Sequence, residues 1–248
     1  MGKIFEALEK ARNEKDGLIN PQLDIVPFPG PRSESQEELN SEKEMITLFR
    51  NIDNQLENSH GRVIQFIGSQ KGEGTSSIVR DFALVAAARL GKRVLLLDAD
   101  NQAPTQHLFF RIDPKSVKDA VVQEKSNLEK ALIKIGESDL YVCVYPSLQN
   151  STLFHKFLYS PEITEFWADL RQMFDLILID SSPATTSPDG VRLSRFVDGV
   201  VLVVEAEKTR KPVIESLKNQ IDRNGGNILG IVFNKHRHHI PDAIYKRL

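Results

Sequence analysis

The chain has 248 residues, 40% of them hydrophobic and 27% charged, the balance of an ordinary globular protein with a proper core. Its 32 Lys and Arg against 34 Asp and Glu give a net charge of −2, which excludes a basic surface of the kind that binds nucleic acid. A single cysteine, Cys143, excludes an internal disulfide; its strand-like setting Tyr141-Val142-Cys143-Val144-Tyr145 marks it as a core thiol.

The first residues lack a basic start followed by an apolar run, so no signal peptide is expected. No apolar stretch approaches the ~20 residues needed to cross a bilayer. Glu6 stands where a myristoylation motif requires Ser or Thr. A cytoplasmic protein is expected, with any contact to the inner face of the membrane made through a partner.

Residues 1–40 read as an N-terminal helix and a proline-rich linker. Ile4, Leu8 and Ala11 share one helical face, and Pro21, Pro27, Pro29 and Pro31 follow in a polar setting. Residues 41–248 read as one domain with a short C-terminal tail, beginning with a charged helix from about Ser41 to Glu57. From Arg62 onward, strands and helices alternate. Apolar runs at Arg62–Ile67, Arg93–Asp98, Leu140–Tyr145, Asp175–Asp180, Gly199–Val204 and Ile228–Phe233 have the continuous character of parallel strands covered on both faces. Helical patterns lie between them at Ile78–Leu90, Pro161–Met173 and Lys211–Asp222. This order predicts an α/β fold, a doubly wound, mostly parallel sheet with helices on both faces, whose ligands bind at the carboxyl ends of the strands.

Those strand ends carry the polar residues. After the first strand comes Gly68-Ser69-Gln70-Lys71-Gly72-Glu73-Gly74-Thr75-Ser76-Ser77, a glycine-rich turn leading into a helix. Such a turn aims backbone N–H groups at one point and favours phosphate there, while Ser76 can offer a hydroxyl to Mg²⁺. Other strands end at Asp98-Ala99-Asp100 and at Asp180. Carboxylates at the ends of apolar strands are costly to bury unless paired or bound to metal, so this set points to an Mg²⁺–nucleotide site. A dinucleotide-binding unit is the rival, with Gly72-x-Gly74 and Asp98 in place, but Ser77 occupies its third glycine and Asp180 has no role in it.

The glycine loop, the run Val94–Asp100 and the run Phe174–Pro183 resemble the Walker A, Walker A′ and Walker B motifs of the bacterial tyrosine kinases (BY-kinases) of capsule and exopolysaccharide export, relatives of the MinD and ParA ATPases. Val197–Thr209, Ile228–Lys235 and the opening Lys3–Ala11 are similar to the same family. The resemblance implies a P-loop NTPase fold with ATP and Mg²⁺ as cofactors. By it, Ser69, Gln70, Lys71, Gly72, Glu73, Gly74, Thr75, Ser76 and Ser77 would hold nucleotide, and Asn234 would lie near the base. Asp98 and Asp100 would serve the metal and the attacking hydroxyl; Ser76, Asp98 and Asp180 would meet the metal. An inner-membrane polysaccharide copolymerase partner and homo-oligomeric assembly are implied as well.

Three departures narrow the expected activity. Thr75 stands where the family has the P-loop lysine, and Lys71 lies one place after the signature-lysine position of MinD-type loops, which is Gln70. The family's C-terminal tyrosine cluster is reduced to Tyr245. Ile46 and Phe49 occupy the places of the arginines that join subunits. The expectation is therefore an exopolysaccharide-biosynthesis protein with weak ATP binding or a regulatory role and little autokinase activity. The alternatives are an active P-loop ATPase or tyrosine kinase using Lys71, and a MinD/ParA-like positioning ATPase. The run His236-Arg237-His238-His239 reads as a solvated loop rather than a metal site.

Overall fold

A computed structural model describes residues 36–56, 61–100, 102–112, 132–144 and 162–236. The N-terminal helix and linker expected over 1–40 lie outside the described residues as far as residue 35, as do Tyr145, Arg237, His238, His239 and Tyr245. The elements in chain order are α1 (Gln36–Gln55), β1 (Arg62–Gly68), α2 (Thr75–Ala88), β2 (Val94–Ala99), α3 (Gln106–Phe109), β3 (Leu132–Lys134), β4 (Leu140–Val144), α4 (Glu162–Met173), β5 (Leu176–Ser181), α5 (Asp189–Leu193), β6 (Gly199–Glu205), α6 (Lys211–Arg223) and β7 (Ile228–Asn234).

Among the described residues the strands form a seven-stranded sheet in the order β3-β4-β2-β5-β1-β6-β7. All neighbours are parallel except β3 and β4. This is the doubly wound sheet that the alternating apolar runs predict. Every residue of β1, β2 and β5 is buried, as strands at the centre of a two-faced sheet must be. The difference from the sequence reading lies at the edge: the three-residue strand β3, Leu132–Lys134, is too short to show a period and owes its existence to pairing with β4.

Helix α1 starts at Gln36 rather than Ser41, because Gln36-Glu37-Glu38-Leu39-Asn40 contains neither Gly nor Pro to stop it. It packs on α2, with Met45 and Ile52 in the core. Phe49 turns inward, its ring 6.2 Å from that of Phe82, which in turn lies 5.5 Å from Phe66 of β1. Cys143 is buried, and burial pushes its thiol up to about 12, so it is the inert core thiol expected. At the amino ends of the strands Arg171 of α4 grips Asp198 through two hydrogen bonds of 2.6 and 2.8 Å, while the Val63 N–H donates to the same carboxylate at 2.7 Å. This forked pair ties α4 to the starts of β1 and β6.

Phe82 joins α1, α2 and β1 in one aromatic stack. Phe82→Ala is expected to lower the unfolding free energy by about 3–5 kcal/mol, read as a shift in the urea midpoint with an unchanged slope.

Candidate functional site

The glycine loop leaves β1 at Gly68 and enters α2 at Thr75. Gly72 and Gly74 both have left-handed backbone angles, φ 91° and 92°, and a Cβ on Gly74 would run into Asn234 Nδ2. Glycine is therefore required at Gly74 by conformation and by contact. The backbone N–H groups of Gly72, Gly74, Thr75 and Ser76 donate to nothing among the described residues. They open at the amino end of a 14-residue helix, an arrangement that favours an anion.

Glu73 gives the loop its shape. Its carboxylate is 3% exposed. Oε1 accepts from the Ser69 hydroxyl at 2.7 Å and the Thr209 hydroxyl at 2.6 Å, and Oε2 accepts from the Gln70 N–H at 2.8 Å. From the neighbouring strands, Asn234 Nδ2 donates to the Glu73 carbonyl at 2.9 Å and Lys235 Nζ to the Gly72 carbonyl at 2.5 Å. Lys235 is itself held by Glu205, with Nζ 3.3 Å from Oε2. Thr75 is 8% exposed, and its hydroxyl lies against the end of β1, where a Cβ on Gly68 would approach it to 2.8 Å. Lys71 is exposed and makes no hydrogen bond or ion pair among the described residues. Among those residues, no side-chain cation is bonded at the open N–H groups of the loop.

The acids meet at the next two strand ends. Asp98 and Asp180 are direct partners in the register of β2 and β5, and both are buried, at 2% and 1% exposure. Asp98 Oδ2 accepts the N–H groups of Thr105 and Gln106, each at 3.0 Å, and Oδ1 accepts that of Asp100 at 3.3 Å. Asp180 Oδ2 accepts from Gln106 Nε2 at 2.7 Å, whereas Asp180 Oδ1 is buried with no partner among the described residues. Asp100 turns to a different set: its Oδ1 accepts from Ser182 Oγ at 2.7 Å and from the Gln102 and Ala103 N–H groups at 3.0 and 3.2 Å. Burial pushes Asp98 up to about 7, with the Asp180 charge adding to the rise and the Gln106 and Asp100 N–H groups opposing it. Asp180 rises to about 6 for the same first reason, held down by Gln106, Ser76 and the charge of Arg80.

The oxygens fit a hard cation. Ser76 and the unpartnered Asp180 Oδ1 are the available donors, and among the described residues no group of three or more His, Cys, Asp or Glu side chains converges. A site with few protein oxygens suits Mg²⁺, which keeps water and phosphate oxygens around it.

The residues expected from the sequence thus gather at one edge of the sheet: the loop from Ser69 to Ser77, Asp98, Asp100 and Asp180. Asn234 is at the same edge, where it braces the loop through the Glu73 carbonyl. Ser77 is exposed, its hydroxyl accepting from Arg80 at 3.3 Å. The sequence reading overlooks Gln106, Thr209 and Lys235. Thr209 and Lys235 fall within runs that resemble the family, but without a spacing rule to single them out. Nothing in the sequence marks Gln106.

No protein-family model matches the chain. CapB of Staphylococcus aureus is 27% identical over 223 residues, 90% of this chain and 92% of its own. The tyrosine-protein kinase YwqD of Bacillus subtilis is 26% identical over 213 residues, 86% of each chain. The succinoglycan biosynthesis transport protein ExoP of Rhizobium meliloti is 28% identical over 195 residues, 75% of this chain but 24% of that longer protein. Among solved structures, the VpsO kinase domain superposes with a TM-score of 0.66 at 25% identity, covering 81% of this chain and 97% of that one. The MinD cell-division ATPase of Pyrococcus furiosus shares the fold, with a TM-score of 0.57 at 21% identity over 75% of this chain and 79% of its own. By sequence the chain is similar to proteins named as tyrosine-protein kinases, and its sheet is the fold it shares with the VpsO kinase domain and MinD.

A carboxyl group whose folded pKa lies above its unfolded value makes the native state hold extra protons between the two values, so its contribution to stability declines as pH rises through that window. For Asp98 and Asp180 the window runs from the ordinary carboxyl value of 3.8 to about 7 and about 6. Urea midpoints measured in EDTA are expected to fall between about pH 4 and about pH 7, and an Asp98→Asn, Asp180→Asn double variant to show a shallower fall.

Proposed function

We propose that this chain is a nucleotide-binding component of exopolysaccharide or capsule biosynthesis, a BY-kinase relative that binds ATP and Mg²⁺ weakly and has little or no autokinase activity. The observation that carries the reading is Thr75. Its hydroxyl turns back against β1, and among the described residues no cation stands in for a lysine at the loop's open N–H groups, while the acids at the strand ends are retained. In this reading the N–H groups of Gly74, Thr75 and Ser76 hold phosphate oxygens, and Ser76 and Asp180 hold Mg²⁺, which when bound offsets phosphate charge. Asp98 and Asp100 serve the metal and the attacking hydroxyl. Charge stabilisation and positioning are nearly all of phosphoryl-transfer catalysis, so a missing cation weakens turnover more than it weakens the fold.

The kinase and polysaccharide-transport names of the relatives support the setting. The proposed partner is an inner-membrane polysaccharide copolymerase, with the chain cytoplasmic at the inner face of the membrane. Among the described residues no helix is long and apolar enough to cross a membrane. At one of the two places where the family carries subunit-joining arginines, Phe49 instead packs within the chain onto Phe82. A second reading, a working ATPase or tyrosine kinase, rests on Lys71, which is exposed and unengaged and so available to a bound phosphate. A MinD- or ParA-like positioning role has only the shared fold behind it.

Calorimetric ATP affinity and steady-state turnover separate the readings. Thr75→Lys is expected to bind ATP roughly 10–100-fold more tightly than the natural chain, and Lys71→Ala to bind within a small factor of it. Brisk turnover in the natural chain that Lys71→Ala abolishes would overturn the weak-site reading in favour of the second.

A further inference from the structure

Gln106 touches three parts of the candidate site. It opens α3, eight residues after Asp98, and is completely buried. Its backbone N–H donates to Asp98 Oδ2 at 3.0 Å. Its side-chain Nε2 donates to Asp180 Oδ2 at 2.7 Å and to the Ser76 carbonyl, in the first turn of α2, at 3.0 Å. Both amide hydrogens are thus used, one on an acid and one on the helix that follows the glycine loop. The amide oxygen, Oε1, is buried with no partner among the described residues, as is Asp180 Oδ1. Two hydrogen-bonded residues therefore each present a buried acceptor that lacks a donor, an arrangement that calls for a ligand supplying positive charge or O–H groups.

We propose that Gln106 is a positioning residue for a hydrated divalent cation: its amide fixes Asp180 through Oδ2 and leaves Asp180 Oδ1 and Gln106 Oε1 to accept from the cation's water shell. The inference rests on the nucleotide–Mg²⁺ reading of the site and adds to it a residue outside the glycine loop and the acid-bearing strand ends. The geometry also fixes which oxygen does what. Oδ2 is committed to the amide, so only Oδ1 faces the ligand. Ser76 is registered to the same amide through its carbonyl, which couples the start of α2 to the acid. A glutamine can do this where a leucine or methionine cannot, because the task needs two donors and one acceptor on a single planar group.

The test uses the full chain with Mn²⁺ as the spectroscopic probe and ADP as the nucleotide. ADP affinity is measured with Mn²⁺ and in EDTA, and bound Mn²⁺ is followed by electron paramagnetic resonance, for the natural chain, Gln106→Met and Gln106→Asn. The ratio of the two affinities cancels any common loss of folded protein. Gln106→Met is expected to lower the Mn²⁺ enhancement about tenfold or more, with any loss of EDTA affinity smaller, and the shorter Gln106→Asn to lower it by less in the same direction. A ratio unchanged in both variants, or equal losses with and without metal, overturns the inference while leaving the nucleotide reading intact. If the natural chain binds neither ADP nor Mn²⁺, the nucleotide reading and the inference both fall.

Discussion

Two carboxylates buried side by side are the constraint around which this molecule is arranged. Asp98 and Asp180 are placed opposite each other by the parallel register of β2 and β5, and neither side chain can retreat to solvent. Like charges in a low-dielectric setting repel strongly, and burial already disfavours each charge separately. The surrounding chain answers with donors. Three backbone N–H groups turn onto Asp98, and an amide side chain turns onto Asp180. The turn after β2 and the short helix α3 exist in the form they do because they deliver those donors.

The glycine loop is fastened by a different logic. A buried carboxylate of its own, Glu73, collects the Ser69 and Thr209 hydroxyls and the Gln70 N–H, and Asn234 and Lys235 at the end of β7 reach across to hold the loop's carbonyls. The loop's curvature therefore comes from contacts within the protein. In a lysine-bearing P-loop the cation serves the ligand; here Lys235, just past the end of β7, serves a carbonyl on the loop's rim.

Much of this was legible in the sequence. Continuous apolar runs such as Val94–Leu97 and Leu176–Ile179 have few stable homes besides a sheet covered on both faces, so the fold class followed from them directly. The loop and the acids were legible because strand ends and glycine spacing are local features. Gln106 was not, since its importance arises from a turn that folds residues 105 and 106 back onto Asp98, and a buried glutamine carries no periodic signature. Strand β3 was missed for a similar reason: three residues hold no pattern until β4 is beside them. Helix α1 includes Gln36–Asn40, ahead of the start read at Ser41, because that run has no Gly or Pro to stop a helix.

The bracing of the loop by Asn234, Lys235 and Thr209 has a further consequence. These residues belong to the last strand of the sheet and to the turn that leads into α6, and β7 is an edge strand with Phe233 exposed beside them. The glycine loop is thus mechanically continuous with the outer rim of the sheet, two strands away from β1. Anything that shifts that rim pulls on the same hydrogen bonds that set the loop's shape. The edge of the sheet and the turn at its centre are, in this architecture, two ends of one short lever.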